Sequence, residues 1–173
     1  MTRAVLLLVG DEYEDLELQY PKLRLREAGY VPVVAGQVKG HSYRGKYGYP
    51  CHSDRAIGDC DANAFEGILL PGGWMPDKLR RDASVLALVR AFDQQKKLLA
   101  SICHGPWIAI SANVVRGVRY TGSLGIRDDL INAGALWHDA AVVIDGHHVS
   151  SRKPDDLPEF TAAMLQVLDL QIH

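Results

Sequence analysis

The sequence predicts an α/β sandwich built around a mostly parallel central sheet. Short apolar runs alternate along the chain with segments of helical periodicity, which is the pattern of successive strand–helix–strand units. The runs are apolar throughout instead of at every second position, as expected for strands that are covered on both faces. A chain of 173 residues is long enough to bury a core, so residues 1–173 are expected to form a single domain.

The first three predicted elements form a β-α-β unit. The apolar run Arg3–Val9 predicts a strand, and a helix is expected over Glu14–Glu27. Acidic residues lie in the first turn of this helix, basic residues lie later, and Gly29 follows its end, which suits the helix dipole and a C-cap. Pro21 should kink the helix or restart it. Tyr30–Ala35 predicts the second strand.

The same alternation continues to the end of the chain. The segment His41–Cys51 has glycines and a proline among aromatic residues, which indicates a hairpin or an excursion loop. The later elements follow from apolar runs and from helical spacing. The predicted strands are Phe65–Leu70, Leu98–Ile102, Val142–Ile144 and His148–Ser150, and the predicted helices are Ala83–Lys96, Pro106–Ala112, Ile126–Ala133 and Leu157–Leu170.

Composition and charge argue against several classes of partner. The formal net charge is −2, with acidic and basic residues interspersed, so there is no electrostatic reason to expect binding to nucleic acid or to a membrane surface. The first apolar run is too short for a signal peptide or a membrane helix, and we expect a cytoplasmic location. The three cysteines, Cys51, Cys60 and Cys103, are odd in number and form no CxxC pair, which argues against a disulfide framework and a thiolate metal site.

Three separate segments are expected to meet at one edge of the sheet. In parallel sheets, ligands bind beyond the carboxyl ends of the strands. Glu12–Glu14 follow the first strand, Gly72-Gly73 follow the third, and Cys103-His104 follow the fourth. The sequence therefore predicts a functional site at this edge.

The stretch "LLASICHGPW" indicates a strand that ends in a sharp turn at Cys103. Gly105 permits a close backbone approach, and Pro106 suits the first turn of a helix. A thiol at a helix N-terminus should have a pKa below its usual value of about 8.5, and the nearby N–H groups could stabilise an oxyanion. The alternative is a structural cysteine that fills space at the end of a buried strand.

The sequence resembles the DJ-1/PfpI superfamily over nearly its whole length. The resemblance is carried by "EYEDLELQYPKLRLREAG", "FEGILLPGGWMPDKLR", "ASICHGPW", "GIRDDLINAGALW" and "SSRKPDDLPEF". The branch that it resembles most is that of the PfpI-type intracellular proteases with their deglycase-like and glyoxalase III-like relatives. This resemblance implies a flavodoxin-like three-layer sandwich and a homodimer or a larger homo-oligomer.

The resemblance also assigns roles to individual residues. It makes Cys103 the nucleophile and His104 its neighbour in the catalytic group, although adjacent residues at a helix start diverge and need not touch. It places the family's first-helix glutamate at Glu14, whose protonated side chain would donate a hydrogen bond to the thiolate. The backbone N–H groups of Gly73 and His104 would form the oxyanion hole. Asp77 would complete a triad from a neighbouring subunit, or would instead be a first-turn carboxylate of its own helix.

These expectations describe a cofactor-independent cysteine enzyme that attacks a carbonyl group in a stress response. With a peptide substrate the reaction would be acyl-enzyme hydrolysis, and with methylglyoxal or its adducts it would release a hydroxy acid. The alternative is a non-enzymatic redox-sensing or chaperone-like protein that uses an oxidisable Cys103. No cofactor or metal is expected, because adjacent histidines such as His147-His148 rarely bind one ion together, and a solvated hairpin accounts for them.

Overall fold

Seven strands form the central sheet of the computed structural model, which describes residues 2–171. In chain order the strands are β1 (Ala4–Leu8), β2 (Val31–Gly36), β3 (Ser42–Arg44), β4 (Pro50–His52), β5 (Arg55–Ala56), β6 (Gly67–Leu70), β7 (Leu98–Ile102), β8 (Arg119–Tyr120), β9 (Leu136–Trp137), β10 (Val142–Asp145) and β11 (His148–Ser151). The helices are α1 (Asp15–Glu27), α2 (Met75–Leu79), α3 (Ala83–Gln94), α4 (Pro106–Ser111), α5 (Arg127–Asn132) and α6 (Leu157–Leu170).

The sheet has the strand order β10-β11-β7-β6-β1-β2-β5. All neighbouring pairs are parallel except β10 and β11, which form an antiparallel hairpin. Every residue of β1, β6 and β7 is buried. This agrees with their continuous apolar runs, which predicted strands that are covered on both faces. Each of these three strands points its carboxyl end toward the same edge of the sheet.

Helices cover the sheet and complete the three layers. α1 and α6 pack against each other and against the sheet, whereas α2, α3, α4 and α5 form a second connected group. The buried apolar side chains of the sheet and of both helix groups form one core. The predicted α/β class with a mostly parallel sheet is therefore confirmed. Within the described residues, none of the helices combines the length and apolar character that a membrane span requires.

Helix α1 begins and ends where the sequence indicates, but it does not restart at Pro21. The Glu14 side chain caps its first turn, and Gly29 follows its end with a φ of +85°, a conformation that glycine adopts without strain. Pro21 lies inside the continuous helix. Of the two predicted alternatives, a kink or a restart, the restart was wrong, because Leu18 and Leu25, which are buried on either side of the proline, hold the helix against the core.

The shortest elements were not predicted from the sequence. These are β5 and the small parallel pair β8–β9, which are too short to show a periodicity. The segment His41–Cys51 does contain a hairpin, formed by β3 and β4. It contacts the loop after β1, since the Glu12 N–H donates to the Arg44 carbonyl oxygen at 2.8 Å. This contact brings Lys46 to the functional edge of the sheet.

Candidate active site

The loops that follow β1, β6 and β7 meet around a cavity of about 150 Å³. The convergence expected from the strand order is therefore observed. The side-chain groups that determine the chemistry of the cavity are two carboxyl groups, a thiol, an imidazole, an ammonium group and an indole. They belong to Glu14, Glu17, Cys103, His104, Lys46 and Trp74.

Cys103 lies on a sharp turn between β7 and α4. Its φ is +60°, a left-handed conformation that is uncommon outside glycine and is concentrated at functional sites. Gly105 makes the turn possible, because a Cβ at this position would lie 2.1 Å from the backbone oxygen of Leu70. Cys103 is half-buried. The geometry is that of a nucleophile elbow and does not match a cysteine that merely ends a buried strand.

Two backbone amides and one imidazole surround the Cys103 sulfur. The backbone N–H groups of His104 and Gly73 lower the pKa of this thiol, as N–H groups close to a sulfur do, and the His104 Nδ1 atom lies 3.2 Å from Sγ. The direct contact between the thiol and the imidazole, which the sequence left open, is thus present. Gly73 has a φ of +80°, and a Cβ there would lie 2.3 Å from the Glu12 backbone oxygen, so only glycine fits this approach.

The carboxyl group that contacts the thiol belongs to Glu17 and not to Glu14. The Glu14 Oε2 atom accepts a hydrogen bond from the Glu17 backbone N–H at 2.9 Å and caps α1. Glu17 lies one turn further along the helix and is fully buried, and its side chain interacts with Cys103. The predicted contact of Glu14 was therefore wrong, because the capping role turns its carboxylate toward the helix backbone.

Burial raises the pKa of Glu17 to about 8, and the negative charge of Glu14 adds to this increase. Glu17 is consequently protonated at neutral pH. Its Oε2 atom accepts a hydrogen bond from the Gly72 N–H at 2.9 Å. Its buried Oε1 atom accepts none from the described residues, so we expect Oε1 to carry the proton.

The thiol is also held in its protonated form. Burial raises the pKa of Cys103 to about 12, and an ionised Glu17 would contribute to the increase, whereas the amides of His104 and Gly73 oppose it. The sequence-based prediction of a lowered thiol pKa was wrong, since α4 has only six residues and its N-terminal dipole is outweighed by burial. Attack by Cys103 therefore requires a base.

His104 is placed to be that base. Burial lowers the pKa of its imidazole, and the positive charge of Lys46 acts in the same direction, so the ring is neutral at pH 7 and can accept a proton. The ring packs edge-on against Trp107, with centroids 5.0 Å apart. The Trp107 Nε1–H in turn donates to an Asp129 carboxylate oxygen at 2.8 Å. These contacts fix the imidazole beside the thiol.

Asp77 lies outside this group of contacts. It is in the first turn of α2, and its carboxylate accepts a hydrogen bond from Arg81 at 2.6 Å. Its side chain is 47% exposed, so the geometry within one chain matches a first-turn carboxylate. The role of Asp77 in a triad between subunits stays a prediction.

Comparison with known proteins identifies the family. A family model described as the DJ-1/PfpI family matches residues 3–167. The chain belongs to the DJ-1/PfpI family. It is 43% identical over 164 residues to a protein of Pyrococcus abyssi that is named a deglycase, covering 95% of this chain and 98% of the relative. It is 41% identical over 168 residues to the Bacillus subtilis protein YraA, named a putative cysteine protease, covering 97% and 99% of the two chains.

Solved structures of the DJ-1/PfpI family have the same fold. A two-domain protein of Anabaena variabilis with DJ-1/ThiJ/PfpI-like and ferritin-like domains has a TM-score of 0.95 and 37% identity, with coverage of 97% of this chain and 48% of that chain. Drosophila melanogaster DJ-1beta has a TM-score of 0.91 and 25% identity, with coverage of 97% and 91%. The family membership supports the assignment of this protein to the cysteine-type enzymes of the DJ-1/PfpI family.

Proposed function

We propose that this protein is a cofactor-independent cysteine enzyme that hydrolyses methylglyoxal or the adducts that methylglyoxal forms with amines and thiols. The observation that carries the proposal is the position of the Cys103 sulfur, 3.2 Å from the His104 Nδ1 atom and within reach of two backbone amides. A nucleophile beside a base and beside preorganised N–H donors is the arrangement needed to attack a carbonyl carbon.

The proposed reaction with methylglyoxal begins with transfer of the Cys103 proton to His104. The sulfur then adds to the aldehyde carbon, and the resulting oxyanion accepts hydrogen bonds from the Gly73 and His104 amides. Movement of the hydrogen on this carbon to the neighbouring carbonyl carbon, as a proton, gives a thioester of a hydroxy acid. His104 first returns the thiol proton to the oxyanion, so that its neutral imidazole can take the hydrogen from this carbon and deliver it to the neighbouring carbon. The protonated Glu17 gives its proton to the neighbouring carbonyl oxygen and then takes up the proton of the hydroxyl group that formed from the oxyanion. Water finally cleaves the thioester, which releases lactate and restores the thiol.

The size of the cavity favours a small carbonyl compound over a peptide. Its volume is about 150 Å³, which is small beside the roughly 300–1,000 Å³ of pockets that hold drug-sized ligands. This space suits a three-carbon dicarbonyl and the first atoms of an attached amine. The Trp74 indole is 54% exposed at the mouth. A peptide would have to lie across Trp74.

A panel of substrates tests this proposal. Purified protein is given methylglyoxal, a methylglyoxal-treated amino acid and a denatured protein, and the release of lactate and of new peptide termini is measured. We expect lactate from the first two substrates and no peptide cleavage. Cleavage of the denatured protein without lactate release would favour a peptidase. Oxidation of one cysteine by peroxide, with neither product formed, would favour the redox-sensor alternative.

Assembly into a homodimer or a larger homo-oligomer is part of the proposal. Two exposed aromatic side chains line the cavity, with Trp74 at 54% and Tyr47 at 76% exposure, which is consistent with an interaction surface. A subunit bound there could bring its own Asp77 toward His104. The cytoplasmic location and the role in a stress response stay predictions.

A further inference from the structure

A second cluster of polar side chains lies at the opposite end of β7 from Cys103. Asp93, His147 and His148 form this cluster, which we call the Asp–His–His cluster. The Asp93 Oδ1 atom lies 2.7 Å from the His147 Nε2 atom and 2.9 Å from the His148 Nε2 atom. The His147 carbonyl oxygen accepts from the Leu99 N–H near the start of β7, so the cluster is remote from the proposed active site.

The turn between β10 and β11 brings two adjacent histidines to the same carboxylate. Successive side chains of a strand point to opposite faces, but His147 belongs to the turn and His148 is the first residue of β11. Their ring centroids are consequently only 4.4 Å apart. The prediction of a solvated hairpin was wrong for His148, which is 3% exposed, and the carboxylate that the sequence did not reveal comes from α3.

The donor set matches a site for a transition metal. Two imidazole nitrogens and one carboxylate oxygen are ligands that zinc uses in sites with an open position. The three candidate ligand atoms lie within 4.8 Å of one another. The second nitrogen of His148, Nδ1, lies 3.0 Å from the hydroxyl group of the buried Tyr120. Such an outer hydrogen bond fixes the orientation and the tautomer of a metal-binding histidine.

We propose that Asp93, His147 and His148 bind one zinc ion. The Nε2 atoms would exchange their hydrogen bonds with Asp93 for bonds to the metal, with the proton of each ring on Nδ1. The Asp93 Oδ1 atom would move from 2.7 and 2.9 Å to about 3.3 Å from the two Nε2 atoms, as bonds of about 2.0–2.1 Å require. The fourth position would open into the adjacent cavity of about 580 Å³, where water can complete the coordination.

The charges in this cavity define what kind of binding is possible. Lys96 and Arg116 line it together with Asp145, so its surroundings do not attract cations in general. The affinity for zinc must therefore come from direct coordination by the imidazole nitrogens. This distinguishes zinc from magnesium, which prefers oxygen ligands and retains most of its water. A bound ion would also connect the end of α3 to the β10–β11 hairpin.

Zinc binding is tested by calorimetric titration of the full chain in a Cys103→Ser background, which removes the thiol beside His104 as a competing zinc ligand. We expect one zinc ion per chain, no displacement by excess magnesium and an increase in Tm with zinc, because a ligand that binds the folded state stabilises it. Cobalt in place of zinc should give visible d–d absorption without a sulfur-to-cobalt charge-transfer band.

Two substitutions and one matched control assign the site. Asp93→Asn and His147→Asn should each weaken zinc binding by more than about tenfold, since even outer partners of metal ligands contribute that much. His138→Asn, at an exposed histidine outside the cluster, should leave the affinity unchanged. Circular dichroism checks that each variant is folded. Absence of zinc binding in the background protein, or equal affinity in all three variants, would overturn the proposal.

Discussion

Replacing Cys103 by serine is expected to lower kcat/KM for methylglyoxal by about 10⁴-fold or more, the scale of loss found when a catalytic nucleophile is removed. Serine keeps the shape of the elbow, and the half-buried side chain leaves room for the smaller oxygen. The hydroxyl group is a much weaker nucleophile than the thiol. The variant should therefore fold and bind methylglyoxal but should not convert it to lactate.

The matched control is Cys60→Ser. Cys60 is also half-buried, and burial raises the pKa of its thiol as well, but it donates a hydrogen bond to the Ala56 carbonyl oxygen away from the cavity. Its substitution should leave lactate release within about twofold of the parent, as expected for a residue outside the chemistry. Retention of turnover by Cys103→Ser would remove the basis of the proposed function.

Replacing His104 by alanine is expected to lower kcat by about 10²–10⁴-fold, the range for removal of a general base. The thiol would then lose the group that accepts its proton, and with a pKa of about 12 it would seldom ionise unaided. The backbone N–H at this position would remain, so the loss would report on the imidazole. Alanine at His138 provides the control on an exposed histidine.

The pH profile separates a catalytic role of His104 from a structural one. In the parent protein, kcat should fall as the pH drops through the lowered pKa of His104, because a protonated imidazole cannot accept the thiol proton. It should also fall as the pH rises above about 8, where Glu17 ionises and its charge opposes a thiolate. His104→Ala should lose the acid limb, and Glu17→Gln should lose the alkaline limb. Unchanged profiles in both variants would contradict these roles.

The position of the active site was predictable because local backbone requirements are visible in the sequence. Gly105 and Pro106 after an apolar run define the elbow at Cys103, and strand order places it beside Gly73. The identity of the carboxyl group was not predictable from the motif alone, because Glu14 and Glu17 are only one turn apart. Helical spacing contains the missed signal. Glu17 lies on the buried side of α1 together with Leu18, Pro21 and Leu25.

Properties that depend on packing could not be predicted in the same way. The pKa of Cys103 reflects the competition between burial and amide hydrogen bonds, and the extent of burial depends on all the layers around it. The same is true of the Asp–His–His cluster, where Asp93 is more than fifty residues from His147 in the sequence. Only the packing of α3 beside the hairpin brings that carboxylate to the histidines.

Stepwise alkylation of the native protein tests most directly that Cys103 performs the chemistry. Samples treated with iodoacetamide for increasing times are divided between a lactate-release assay and mass spectrometry of each cysteine-containing peptide. The remaining activity should equal the fraction of unmodified Cys103 while Cys51 and Cys60 are still free. Full activity in protein whose Cys103 is completely alkylated would contradict the account.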